Sequence, residues 1–330
     1  MNPEIAVLIP CYNEAQTVGK VVRDFKAALP EATVYVYDNN STDNTFQEAL
    51  EAGAVVRKEP MQGKGNVVRS MFRDIDADVY IMVDGDDTYP AESARGMVEK
   101  VWDEGYDMAI GDRLSSTYFS ENKRFSRNLG NEMAKWWINF LFHSHLHDIL
   151  TGYRAMSFEF VKTYPILHPG FELETEMTMQ ALDKRCKVIE IPVKFRERPA
   201  GSFSKMKPFS DGLGVAKSFY IMVSRFRPVI FFGLIASLLF APAVGLWIWA
   251  GVAFSRLSPV SETFALIGGG ICALCGFFSL AVGAVLNMQA KHAREKYIVD
   301  CNFFALKRRE MKKTPLSETS RSFPLDSNKS

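Results

Sequence analysis

The sequence predicts an α/β fold: a mainly parallel sheet with helices on both faces, followed by a two-helix transmembrane hairpin. Three observations lead there. Short apolar runs alternate with amphipathic segments through the first third of the chain, the rhythm of strand-helix-strand units. Polar clusters stand directly after several of those runs. Near the other end lie two uncharged stretches, residues 229–254 and 263–290, each longer than the about 20 apolar residues that cross a bilayer core.

Taken in order, residues 5–10 are expected as a strand, 17–29 as a helix, 33–37 as a strand and 43–52 as a helix. A strand at 54–57, a helix at 64–75, a strand at 79–83, a helix at 91–102 and a strand at 108–110 continue the alternation, each helix on apolar residues at helical spacing. Residues 127–142 and 158–164 read as helices, "DILTGYRAMS" and "VIEIPVKF" as strands. "PGFELETEMTMQAL" opens another helix with Glu172, Glu174 and Glu176 in its first turns, where acidic side chains suit the helix amino terminus. Within 210–227, Leu213, Ala216, Phe219, Tyr220, Val223 and Phe226 share one side, next to Lys217, Arg225 and Arg227. That is the pattern of a helix lying on a membrane surface.

The chain of 330 residues divides into a large domain at 1–204, an interfacial amphipathic region at 205–227, two spans at about 229–254 and 264–290, and a basic tail at 291–330, disordered at its end. With 39 basic against 38 acidic residues, no global field points to nucleic acid. Lys217, Arg225 and Arg227 precede the first span, and Lys291, Arg294 and Lys296 follow the second. The link between them holds only Arg256 and Glu262, so the positive-inside rule puts both ends of the hairpin in the cytoplasm. Residues 1–4 run straight into "IAVLIP" without a targeting peptide, so the large domain is expected to be cytosolic. Cys11, Cys186, Cys272, Cys275 and Cys301 form no disulfide framework there. The CxxC of Cys272 and Cys275 lies inside an apolar span without a second pair and reads as packing.

"CYNE", "DNNSTDNT" and "DGDD" follow the first, second and fourth strands. Ligands of open parallel sheets bind beyond the carboxyl ends of the strands, so one site collects all three clusters. Asp84, Asp86 and Asp87 crowd the last of them. Capping the next helix needs one such residue, Asp87 or Thr88. Asp84 and Asp86, hard oxygen donors at alternate positions, suit Mg²⁺ or Mn²⁺ with phosphate oxygens as further ligands.

"IPCYNE", "YDNNSTDNT", "GKGN", "VDGDD", "GDR", "SRNLGN", "DILTGYRAM" and "ERPAGSFSK" occur in this order. Together they resemble the family 2 glycosyltransferases of the GT-A fold, and within them the dolichol- or polyprenyl-phosphate sugar transferases. The resemblance covers about residues 4 to 227. It implies a nucleotide-sugar donor, a polyprenyl-phosphate acceptor held at the bilayer, and Asp84 and Asp86 as the metal-binding pair. Pro10, Tyr12, Glu14 and Gly85 would line the nucleotide pocket, with Asp38 on base or ribose and Lys64 near the nucleotide or, alternatively, at a solvated helix start. Arg113 and Arg127 match positions that hold the acceptor phosphate, which bidentate guanidinium donors can do. Arg198, Ser204 and Lys205 match a loop that closes over the donor diphosphate, here one residue longer than the commoner form. Thr88 stands where relatives place a Gln or Asn, so a third protein ligand to the metal is not expected. Asp148 and Glu174 are carboxylates expected to steer a sugar hydroxyl, to act as base toward a hydroxyl acceptor, or, structurally, to hold an arginine or cap a helix.

Three histidines of "HSHLHD", His143, His145 and His147, would converge on a metal from a strand and fan apart from a helix; a polar helix end is the alternative. A processive polysaccharide synthase would carry a Gln-x-x-Arg-Trp motif, and a nucleotidyltransferase a glycine-rich loop after the first strand; the sequence has neither. Two other readings stay open: a family 2 transferase acting on a sugar hydroxyl, and a non-catalytic nucleotide-sugar-binding subunit. Association through the spans as a homo-oligomer is a further expectation.

Overall fold

The computed structural model describes residues 2–113, 135–166, 173–196, 198, 220, 223–254 and 259–313. Seven strands form one sheet in the order β3-β2-β1-β4-β6-β5-β7. They are β1 Ile5–Cys11, β2 Thr33–Asp38, β3 Val55–Lys58, β4 Val79–Met82, β5 Met108–Asp112, β6 Arg154–Ser157 and β7 Val188–Pro192. All run parallel except β6, which lies antiparallel between β4 and β5. The chain leaves β1 toward β2 and β3, then returns to set β4 on the opposite side, with Leu8 paired to Met82. Such a reversal opens a crevice beyond the carboxyl ends of the two strands that flank it.

Alternation along β1 decides which face each residue serves. Ile5, Val7 and Ile9 pack with Val18, Val22 and Phe25 of α1 (Val18–Ala28) and Met97 and Val98 of α4 (Ala94–Trp102). Ala6 and Leu8 join Val68 and Met71 of α3 (Lys64–Asp74), Phe160 of the helix Phe158–Thr163 and Met177 of the helix Leu173–Asp183. Both faces are thus covered, as a mainly parallel sheet requires; α2 (Thr45–Glu51) completes the layer beside β2 and β3.

Several expectations need correction. "DILTGYRAMS" becomes strand only from Arg154. The Arg154 side chain donates to the carbonyls of Ile149 and Thr151 at 2.8 and 3.1 Å, which curls the preceding residues away from the sheet. The expected helix at 91–102 begins as a 3-10 turn, Ala91–Ser93, behind Pro90. The helix before "HSHLHD" stops at Phe142, and His143 takes a left-handed backbone at φ 53°, so the three histidines lie neither on a helix nor on a strand. Val223 and Phe226 do not face a membrane surface: both are buried, and Phe226 joins the domain core with its ring 6.5 Å from that of Phe142. Of the expected helix at 127–142, residues 127–134 lie outside the described residues, as do most of 210–227 and all of 314–330.

Two carboxyl-terminal helices, Pro228–Phe254 and Pro259–Lys313, are long and apolar enough to cross a membrane by length and composition. They pack as a hairpin. Gly269, Gly276 and Gly283 recur every seventh residue, and a Cβ on the latter two would come within 2.9 Å of Phe240 and Phe232; small residues let membrane helices approach closely. The second helix runs 55 residues, well beyond its apolar part, and the region expected only as a basic tail lies against the sheet domain. There Arg294 pairs with Asp183 at 2.7 Å, Arg308 pairs with Asp78 and Glu159, and the Tyr297 hydroxyl lies 3.2 Å from Cys186 Sγ.

Candidate active site

The loops after β1, β2 and β4 interlock above the crevice. Asn13, Asn40 and Asp87 adopt positive φ of 54°, 61° and 58°, a region that Asn and Asp tolerate better than most residues. The Asn13 side chain accepts from the Thr42 N–H at 2.7 Å, and its own N–H donates to Ser41 Oγ. Glu14 N–H donates to Thr45 Oγ1. Pro10 is buried, and Tyr12 stands at the rim, 37% exposed. Asp38 is buried at the end of β2 and accepts from the Ser41 N–H at 3.2 Å. Next to it, Asn39 donates to the carbonyls of Glu59 and Met61 and accepts from the Gly63 N–H at 2.7 Å. That clasp delivers Lys64, the first residue of α3, to the crevice.

Asp84 and Asp86 stand at the end of β4. The Lys64 ammonium bridges Asp84 to Glu174, 2.6 Å from the Glu174 Oε1. Burial alone would lower the Lys64 pKa, but the two carboxylates outweigh it and raise it above its ordinary value. Gly152 closes the same spot: a Cβ there would lie 2.9 Å from Asp84 Cγ. Asp86 is buried, accepts from the Thr88 hydroxyl at 2.6 Å and from its N–H at 3.2 Å, and pairs with Arg198 at 2.5 Å. Gly85, between the two aspartates, accepts from the Thr17 hydroxyl at 2.7 Å. A Cβ at that glycine would sit 2.6 Å from Cys11 Sγ, so the ends of β1 and β4 meet only because it has none. Asp87 turns away to Lys20 at 2.7 Å and Arg196 at 3.6 Å.

A second charged group borders the first. Arg113 grips the fully buried Asp148 through Nε and Nη2 at 2.7 and 3.0 Å, and its guanidinium lies 5.6 Å from the Phe195 ring centroid. Glu190 of β7 holds that aspartate from behind, accepting from the N–H groups of His147 and Asp148 at 2.8 Å each. Burial raises the Glu190 pKa, against the pull of those backbone donors. Among the described residues, His147 lies 3.1 Å from Glu190 and 3.8 Å from Asp112; all three histidines are exposed. Tyr89 receives the Gly152 N–H and the Thr151 hydroxyl at 3.3 Å, and burial pushes its phenol up to about 12.

The structure therefore gathers Lys64, Asp84, Gly85, Asp86 and Arg198 at one spot, with Pro10, Tyr12, Glu14 and Asp38 on the loops beside it. Arg113 and Asp148 form their own pair. Arg127, Ser204 and Lys205 lie outside the described residues. Sequence reasoning missed the Glu174–Lys64 link, Gly152, Glu190 and Arg154, which donates from full burial to the Glu174 carbonyl at 2.9 Å. Gly152 and Arg154 lie inside the quoted "DILTGYRAM" and Glu174 was a candidate carboxylate, while Glu190 is the one charge inside the apolar "VIEIP".

Comparison with known proteins bears on the family and the fold. Residues 6–164 match the family described as Glycosyl transferase family 2. A Haloferax volcanii protein, "Glycosyltransferase AglJ", is 32% identical over 272 residues, 80% of this chain and 89% of that one. The chain belongs to glycosyltransferase family 2. Another relative of this family 2 glycosyltransferase is the dolichyl-phosphate hexose transferase of the same organism, 30% identical over 65% of this chain and 92% of that one. Among solved structures, the fold is similar to glucosyl-3-phosphoglycerate synthase from Mycobacterium tuberculosis in complex with Mn²⁺, uridine diphosphate and phosphoglyceric acid. That match has a TM-score of 0.54 and 19% identity, covering 68% of this chain and 79% of the other.

Proposed function

We propose that this glycosyltransferase moves a sugar from a nucleoside diphosphate to a membrane polyprenyl phosphate, with inversion at the anomeric carbon and with catalytic domain and both termini on the cytoplasmic side. The observation that carries the reading is the grouping of Asp84, Asp86, Lys64 and Arg198 at one strand end, in a domain fastened to two membrane-length helices. The dolichyl-phosphate hexose transferase named above supports it.

Asp84 and Asp86 fit a divalent cation. They offer two carboxylates on either side of Gly85, each already facing a cationic side chain, and Gly152 leaves the Asp84 carboxylate room. Mg²⁺ or Mn²⁺ there, when bound, would neutralise charge on the departing diphosphate. Lys64 and Arg198, which pair with Asp84 and Asp86, would hold the diphosphate by charge. Pro10, Tyr12, Glu14 and Asp38 line the nucleoside side. The attacking phosphate oxygen is anionic at neutral pH and needs no strong general base. That favours a phosphate over a hydroxyl acceptor here, because the two candidate bases are both buried and paired, Asp148 at two points with Arg113 and Glu174 with Lys64. Arg113, with Arg127 beyond the described residues, would orient the acceptor phosphate without protonating it.

The test incubates the purified chain in liposomes with Mg²⁺, polyprenyl phosphate and a panel of labelled nucleotide sugars. Label is expected to enter the organic phase for one donor, and chelation should stop it. Asp86→Ala should lose transfer while retaining the thermal transition of the parent; turnover near the parent's in that variant overturns the assignment.

A further inference from the structure

The last helix does more than span. Past its apolar part it lies along the sheet domain and makes two separate clamps. At the first, Arg294 donates to both oxygens of Asp183, at 2.7 to 3.1 Å. Arg227, directly before the first apolar helix, reaches the same carboxylate at 3.8 Å. Asp183 is buried, with a side chain 6% exposed, so both cytoplasmic ends of the hairpin converge on one charge. About 21 Å farther along, at 1.5 Å per helical residue, Arg308 forms the second clamp. It pairs with Asp78 and, at 3.2 Å, with Glu159, its guanidinium 4.7 Å from the Phe158 ring centroid. Just before the first clamp Lys184 donates to the Ala293 carbonyl at 3.2 Å, and between the clamps Tyr297 meets Cys186 and Phe304 packs edge-on against Phe158.

Two of the elements seized carry residues of the reacting site. Asp183 ends the helix whose first turn holds Glu174, the partner of Lys64. Asp78 immediately precedes β4, whose far end leads into Asp84 and Asp86. Each clamp thus takes hold of the end of an element opposite its catalytic end, and short helices and strands transmit position as rigid rods.

We propose that residues 291–308 are a strut that fixes the height and tilt of the catalytic domain over the bilayer, with Arg294 and Arg308 as positioning residues for a membrane-held acceptor. The proposal rests on the lipid-acceptor reading above. It separates two demands on the site: a donor or acceptor arriving from water needs no fixed height, whereas a phosphate anchored at a set depth does.

The experiment compares the full-length chain with the double variant Arg294→Gln/Arg308→Gln in liposomes. One acceptor is long-chain polyprenyl phosphate in the bilayer; the other is a short, water-soluble isoprenyl phosphate. The double variant should raise the apparent KM for the bilayer acceptor about tenfold or more, the scale of a small misplacement of reactants. Its kcat/KM for the soluble acceptor and its KM for the donor should stay within about twofold of the parent's, and lysine at both positions should restore part of the loss. Hydrogen exchange of residues 291–308 provides a readout without turnover: protected in the parent, faster in the glutamine variant. Equal losses on both acceptors, no loss on either, or unchanged exchange overturn the strut. A parent chain inactive on both acceptors overturns the acceptor reading instead, and hydrogen exchange then decides the docking of the strut.

Discussion

At the scale of single residues, the site is a balance of charges in which sequence position alone misleads. Asp84 and Asp86 were legible because two carboxylates beyond a buried strand demand a counter-charge. The onward link from Lys64 to Glu174 was not, since Glu174 lies 110 positions from Lys64 and its place in a first helical turn looked like capping. Gly152 was also hidden, as a glycine reveals close contact only once the neighbour is placed. Gly152→Ala drives a methyl group into the Asp84 carboxylate. Transfer should fall by about 10²-fold or more for a displacement near 1 Å, while the melting temperature drops far less; a rate assay beside a thermal scan checks both. Lys64 supplies a pH prediction. Its folded pKa is raised by Asp84 and Glu174, so its contribution to stability is complete below the ordinary lysine value of about 10.4 and is lost only as pH rises through the still higher folded value. Lys64→Met should therefore cost stability by a constant amount from pH 6 to about 9. Denaturant melts across that range would show it, and a difference that fades toward the alkaline end would contradict the assignment.

At the scale of elements, the first five strands and four helices were readable because period 2 and period 3.6 patterns were both clean, and their ends fell within two residues of expectation except at the start of α4, three residues late behind a 3-10 turn. The second half was harder because β6 spends most of its expected length as a curled loop. The cause is one side chain: fully buried Arg154 ties the carbonyls of Ile149, Thr151 and Glu174 together. Burial lowers its pKa, yet the charge is retained because carbonyl oxygens replace water. Arg154→Met should destabilise the domain by about 3 kcal/mol or more, since hydrogen bonds to a charged group each contribute about 1.5–3 kcal/mol. Urea unfolding of the parent and variant measures it, and loss of less than a third of that would mean the loop is held elsewhere. In the hairpin, Gly276→Leu pushes into the Phe240 ring and should weaken helix association, read as a lower detergent-resistant melting point.

At the scale of the whole molecule, the catalytic domain and the apolar hairpin were each legible from composition, but their connection was not. Charge counting read the region after the last span as a tail, because basic residues there satisfy the positive-inside rule whether or not they find partners. Arg294 and Arg308 find theirs more than a hundred residues back in the chain, a pairing no local pattern announces. Chelation of divalent ions should leave this architecture intact, so far-UV circular dichroism is expected to stay constant while transfer stops. The Cys186 thiol, pushed up to about 12 by burial and placed against the Tyr297 hydroxyl, sits in the seam between those two bodies. Partly exposed there and held against Tyr297, it should react faster with a maleimide when the two bodies part, so its alkylation rate would follow how often the last helix leaves the sheet domain.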